Sequence, residues 1–212
     1  MTELDRRDHF LIALYNQLMN DINRHIIVVW QSVATLVAAI AAFGLVEKNV
    51  ISMDVAISMV LLSCIWLVQH VYDASHWYNR NLAMIANIER QFLKVSDLKD
   101  VHYYFGAHRP SAKIISHLRI QRLFGYGVAA LVLLLHLQNV MLPIFRGSAT
   151  VSLLNLAPWG ILIVGFFVVL QAARDHKNKY EEFIKNSPGI PVDATGITYG
   201  VGHGFDGKPR SK

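Results

Sequence analysis

A chain of 212 residues, 53% apolar and with a formal net charge of +5, has room for one membrane domain with modest additions, but not for a separate soluble enzyme domain of ordinary size. Its basic balance is not a nucleic-acid footprint, because thirteen of its fifteen carboxylates share segments with the Lys and Arg residues and dilute their field. The single cysteine, Cys64, lies in an apolar run and supplies neither a disulfide framework nor a thiolate metal cluster.

The first 25 residues predict an amphipathic helix. Phe10, Leu11, Leu14, Leu18 and Ile22 recur largely at three- and four-residue steps, with Asp5, Arg6, Asp8, Asn16, Asn20 and Asn23 between them. No Pro or Gly separates this helix from the first apolar stretch, Ile26 to Val46. Three more stretches follow, from Ile51 to Val71, Leu123 to Phe145 and Leu153 to Ala173. At ~1.5 Å per residue each reaches the ~30 Å of a bilayer's hydrocarbon core. None contains Lys or Arg, and the one acidic residue, Asp54, is expected in the interface. Glu3, Asp5, Asp8 and Asp21 precede the first stretch, so a cleaved signal peptide is not expected and the first span is retained.

Beyond the second stretch, Trp77, Leu82, Ile85, Ile88, Phe92 and Val95 continue a helical stripe, with Arg80, Glu89, Arg90 and Lys94 on other faces. Beyond the fourth, Tyr180, Phe183 and Ile184 begin a shorter helix that Pro188 and Gly189 stop. The tail to Lys212 is Gly-rich and too poor in packing groups to fold alone, so it is either a linker-like end or a segment ordered by a partner.

Eighteen of the twenty Lys and Arg residues fall in the first 25 residues, between Asp73 and Arg122, or after Ala173. By the positive-inside rule those three segments are cytoplasmic. The expected fold is an all-α membrane protein, with four transmembrane helices in two hairpins and long cytoplasmic helical extensions. Its parts are a cytoplasmic amphipathic helix (1–25), a first hairpin (26–72), a cytoplasmic helix and loop (73–122), a second hairpin (123–173) and a cytoplasmic helix with a Gly-rich tail (174–212). Gln69, Asp73 and Tyr78 have equally displaced counterparts in Gln171, Asp175 and Tyr180. They suit either a parallel duplication of one hairpin or coincident interfacial chemistry.

Small and polar residues show where membrane helices meet. In the first span Gln31, Thr35, Ala38 and Ala42 fall on one face. That face either packs against a neighbouring helix of the same subunit or, in a homo-oligomer, lines a pore that Gln31 and Thr35 wet and the alanines narrow. The ten histidines do not define a metal or haem site. His70 and His76 point roughly 240° apart on a helix and cannot chelate from one face. His136, alone deep in a span, is expected to hydrogen-bond a neighbour. No phosphate-binding, dinucleotide or nucleophile-elbow motif is present, and neither an enzyme activity nor a cofactor is expected.

In the loop before the third span, Tyr103, Tyr104, His108, Arg109 and Lys113 mix aromatic and basic groups suited to a nucleotide, an oligonucleotide or a protein partner. The alternative is that Tyr103, Tyr104 and Phe105 cover the cytoplasmic helices while Arg119 and Arg122 anchor the third span at the headgroups.

An amphipathic helix, a spanning hairpin, and then Trp77, Tyr78, Asn79, Arg80, Asn81 followed by Ile88, Glu89, Arg90, Gln91 and Phe92 together resemble the small multi-span membrane effectors of bacterial anti-phage defence. These include the SLATT group and the membrane subunits of Hailong- and Kiwa-type systems. The resemblance covers about Asp5 to Val95 and rests on layout, and the chain departs from the two-span SLATT plan in having four spans. It implies an oligomer, held shut until a cytoplasmic partner or nucleotide signal acts on it, that then permeabilises the membrane. The alternative is a non-conducting anchor or sensor subunit that docks a soluble defence protein.

Overall fold

A computed structural model describes residues 3–93, 118–148 and 150–187. The described residues form helices and turns without strands: α1 (Glu3–Ile40), α2 (Phe43–Glu47), α3 (Met53–Phe92), α4 (Arg119–His136), a π-helical turn (Leu137–Met141), α5 (Leu142–Phe145) and α6 (Leu153–Asn186). Four helical stretches, Glu3–Glu47, Met53–Phe92, Arg119–Phe145 and Leu153–Asn186, are long and apolar enough to cross a membrane.

The amphipathic start and the first apolar stretch are one helix, as the absence of a breaker predicts. At Ala41 and Ala42 the backbone tightens, each N–H bonding the carbonyl three residues back at 3.1 Å, before α2 begins. Short connections follow the same rules in both halves. α2 ends with Asn49 at φ 58, where the Asn49 and Val50 N–H groups bond the Val46 and Leu45 carbonyls at 2.9 Å. α5 ends with Gly147 at φ 72, where the Gly147 and Ser148 N–H groups bond the Ile144 and Pro143 carbonyls at 2.9 and 3.0 Å. Both are Schellman endings, which need a residue at ease in the left-handed region. A serine then begins the next helix each time. Ser52 Oγ accepts from the Val55 N–H at 3.3 Å, whereas Ser152 donates its N–H to Asn155 Oδ1 at 2.7 Å.

The chain divides into two compact units. One draws on Met1–Ile22, Tyr78–Lys113 and Tyr180–Lys212. In it Leu18, Ile22, Leu82, Ile85, Ile88 and Tyr180 are buried, Arg7 Nη2 donates to Gln91 Oε1 at 2.9 Å, and the Arg80 guanidinium lies 5.8 Å from the Phe183 ring centroid.

The other unit, Asn23–Trp77 with Ile114–Lys179, is organised around α3. Ile57, Val60, Leu61, Cys64, Leu67 and Val71 of α3 pack with Val29 and Leu36 of α1 and Val132 of α4 in one apolar core. The most apolar window of α3 is 44% buried, against 11% for those of α4 and α6. So α3 is central, and α4 and α6 leave most of their apolar side chains facing outward, Leu131, Leu134, Ile163, Phe166 and Phe167 among them. An outer surface that apolar suits lipid tails or another protein face.

Polar hydroxyls in these helices are mostly satisfied locally. Ser32, fully buried, donates to the Val28 carbonyl at 3.0 Å, and Ser63 to Met59 at 3.0 Å. Backbonding to the preceding turn is the cheap way to keep a hydroxyl in an apolar helix.

Candidate functional site

The most concentrated polar chemistry of the α3-centred unit sits where α3 and α6 begin and α4 ends, on the Lys- and Arg-poor side. His136 closes α4 and is fully buried, and Asp54 in the first turn of α3 is 7% exposed. His136 Nε2 lies 2.8 Å from Asp54 Oδ1. The other carboxylate oxygen, Oδ2, accepts from Asn155 Nδ2 at 3.2 Å. Asn155 in turn is held by Ser152, whose Oγ donates to Asn155 Oδ1 at 2.9 Å. Each carboxylate oxygen thus meets a donor from a different helix. An ionised carboxylate only accepts, so the imidazole proton belongs on Nε2 when Asp54 is charged.

Local structure explains why the three side chains meet. Asp54 is near the N-terminus of α3, where free N–H groups and the helix dipole favour a negative charge. Asn155 is fixed by its capping interaction with Ser152, an arrangement analogous to a capping box with Asn in place of Glu. His136 is followed at once by the π-helical turn, in which the Leu142 N–H reaches back to the Leu137 carbonyl. Pro143 follows within one residue and has no N–H to give the regular ladder. Such widened turns recur at functional positions in helices.

The far side of the imidazole is less satisfied. His136 Nδ1 and Trp159 Nε1 are both buried without a hydrogen-bond partner, with the two rings 5.9 Å apart and steeply inclined at 61°. The network can tie three helices together and hold a proton. Fully buried, His136 offers no surface to a substrate, and among the described residues no group of three or more His, Cys, Asp or Glu side chains is placed to hold a metal ion.

Sequence reasoning expected a partner for His136 but placed Asp54 in the interface and read the spans as free of buried charge. The structure adds that Asp54 is buried within the protein, where two donors from other helices replace the water it gives up. The available signal was positional. Asp54 and Asn155 lie within a few residues of the starts of their apolar stretches, but His136 lies nine residues before the end of its own, so the signal was weak.

Of the four residues assigned to the first-span face, Gln31, Thr35 and Ala38 are exposed on α1 and lie within about 60° of one another around the helix axis. Thr35 Oγ1 donates to the Gln31 carbonyl at 3.1 Å. Val29, Ser32 and Leu36 point the opposite way into the core. Ala42 does not continue the exposed face as expected but is buried, because α1 ends at Ile40 and the tightened turn rotates the chain. Tyr103, Tyr104, His108, Arg109 and Lys113 lie outside the described residues.

At the opposite ends of these helices the histidines spread, as their spacing predicts. His70 meets Trp66 with ring centroids 4.9 Å apart, while His76 lies 5.5 Å from His176, whose Nε2 is 3.8 Å from Asp73 Oδ1.

Among the described residues the fold and this site define an all-helical architecture with four helices long and apolar enough to cross a membrane. No protein-family model, curated protein or solved structure matches the chain, so its function is argued from its own residues.

Proposed function

We propose that this chain is a homo-oligomeric inner-membrane effector of bacterial anti-phage defence, in which several α1 helices bring Gln31, Thr35 and Ala38 to a shared axis and form a gated pore. The observation that carries the assembly is the outward direction of those three residues. The Thr35 hydroxyl is met by the Gln31 carbonyl, but a glutamine on the outside of an apolar helix carries an amide that hydrocarbon cannot satisfy, whereas a neighbouring copy or a water-filled axis can. The core around α3 is apolar, so in this scheme the polar lining comes from the outward α1 faces of several copies. The defence role rests on the resemblance of layout, and the cytoplasmic placement of the N-terminus, the residue 73–122 segment and the C-terminus rests on the charge asymmetry. A soluble protein or nucleotide signal acting on the basic, aromatic segment around Tyr104 and Arg109 supplies the gating stimulus in this scheme.

Ion flux through liposomes containing the full chain tests the proposal. Wild type with its activating partner should conduct, Thr35→Val should lower conductance by drying the lining, and Ala38→Phe should narrow or close it. Assembled wild type that meets its partner and passes no ions would leave the membrane anchor as the function.

A further inference from the structure

We propose that the α3-centred unit holds one anionic phospholipid, with an acyl chain in the groove between α3, α4 and α6 and the phosphate at Arg122. The groove encloses about 340 Å³ and is walled by apolar side chains, among them Leu61, Ile65, Val68, Ala129 and Leu162. That volume is within the range of small-ligand sites. Apart from the Cys64 thiol, its polar side-chain groups are phenols. Tyr72 and Tyr126 both line it. Tyr126 and Phe166, also in the wall, are 45% and 60% exposed, so the groove opens outward between α4 and α6.

Glycines set its shape. Gly165 lets α6 approach α3 so closely that a Cβ there would lie 2.6 Å from Ile65 Cγ1, and a Cβ on Gly125 would lie 3.0 Å from Val68 Cγ2. Those two close approaches fix the helices while the space beside them stays open.

The polarity of the groove runs along one axis. Leu61 and Leu162 belong to the middle of their apolar stretches. Tyr72 and Tyr126 belong to the end nearest the Lys- and Arg-rich segments. The Arg122 guanidinium lies there, 4.7 Å from the Tyr72 ring centroid, one helical turn before Tyr126, and exposed Arg174 directly follows the lining residue Ala173. An oily tube with a cation and two phenols at one mouth matches a molecule with an acyl chain and an anionic head, lying in the leaflet on the basic side. A free phosphate compound would leave the tube unfilled, and a second protein copy would not account for the cation at its mouth.

The test uses the full chain in phosphatidylcholine vesicles doped with phosphatidylglycerol carrying a photoreactive acyl chain, beside a phosphatidylcholine probe with the same chain. Labelled peptides should map to the groove, with phosphatidylglycerol favoured about fivefold, the preference expected of one cation near the membrane surface. Arg122→Gln should bring both probes to equal labelling without changing the elution of the protein. Ala129→Phe should fill the groove and remove labelling there; should that variant misfold, Arg122→Gln still decides. Equal labelling by both headgroups in wild type, label spread evenly over outward residues such as Leu131 and Ile163, loss of the headgroup preference to inorganic phosphate, or cross-links between subunits through Tyr126→Cys would each overturn the proposal.

Discussion

Two polar sets in the same unit solve the same problem in opposite ways. Asp54, His136 and Asn155 come from three helices and close on one another inside the protein. Gln31, Thr35 and Ala38 come from one helix and face outward. A polar group in an apolar setting must be met by something. Met within the chain, it specifies how the helices pack; turned outward, it specifies what the protein assembles with. The first set therefore bears on stability of the subunit, and in the proposed assembly the second bears on association while leaving the subunit's fold alone.

The largest effect expected on the inward side is from His136→Leu, which strands the Asp54 carboxylate in a buried place. The cost should be about 3 kcal/mol, read as a lowered thermal midpoint of the detergent-solubilised protein. The pair Asp54→Leu with His136→Leu should lose less than the two single variants summed, since neither leaves the other unpaired and only the Asn155 amide is short of an acceptor. Single variants within about 0.5 kcal/mol of wild type would show that the network contributes nothing beyond what a surface substitution disturbs.

Next in size is a contrast within α6. Gly165→Ala places a methyl against Ile65 and should destabilise by roughly 1–3 kcal/mol through overpacking, with partial rescue from Ile65→Val. Gly160, on the same helix, has nothing within 4 Å of its missing Cβ, so Gly160→Ala should be neutral or slightly stabilising. Equal effects at both glycines would mean that α6 does not seat on α3 as described.

Substitutions on the outward set should separate cleanly from these. Thr35→Val should move the thermal midpoint of the isolated subunit by no more than a surface change does, about 0.5 kcal/mol, yet shift oligomer size or flux. A stability loss as large as that of His136→Leu, with assembly unchanged, would turn the α1 face into an intrachain packing face.

How much of this was legible beforehand follows from the range of the interactions. The four apolar helices, the uninterrupted α1 and the continuation of α3 to Phe92 are local, periodic signals, and hydropathy with three- and four-residue steps carries them. The break after Ile40 was not legible, since it falls on Ala41 and Ala42, which favour helix, with Gly44 the nearest breaker. The π-helical turn had a signal in Pro143, though Pro alone does not say whether a helix kinks or widens. Pairing of Asp54 with His136 and Asn155 is long-range, and no local pattern announces it. The outward direction of Gln31 and Thr35 was undecidable from α1 alone, because a helical face has no inside until its neighbours are placed.

The smallest effect lies in the other unit. Burial, and then the nearby Glu89 charge, raise the Tyr15 phenol above its ordinary value. A raised value means the folded state holds the proton longer than the unfolded chain. Tyr15 therefore contributes stability that is fully present below pH of about 10 and is lost as pH rises through the folded value. Tyr15→Phe should flatten the alkaline decline of the thermal midpoint slightly; a decline identical to wild type would place the titration elsewhere.

The most direct test of the outward face is disulfide cross-linking of Thr35→Cys in a Cys64→Ala background, in liposomes, with Leu131→Cys on outward-facing α4 as the control. Close approach of α1 helices from different subunits should give a covalent dimer at Thr35→Cys under mild oxidation and little at Leu131→Cys. An assembled protein that cross-links at Leu131→Cys and not at Thr35→Cys would contradict it.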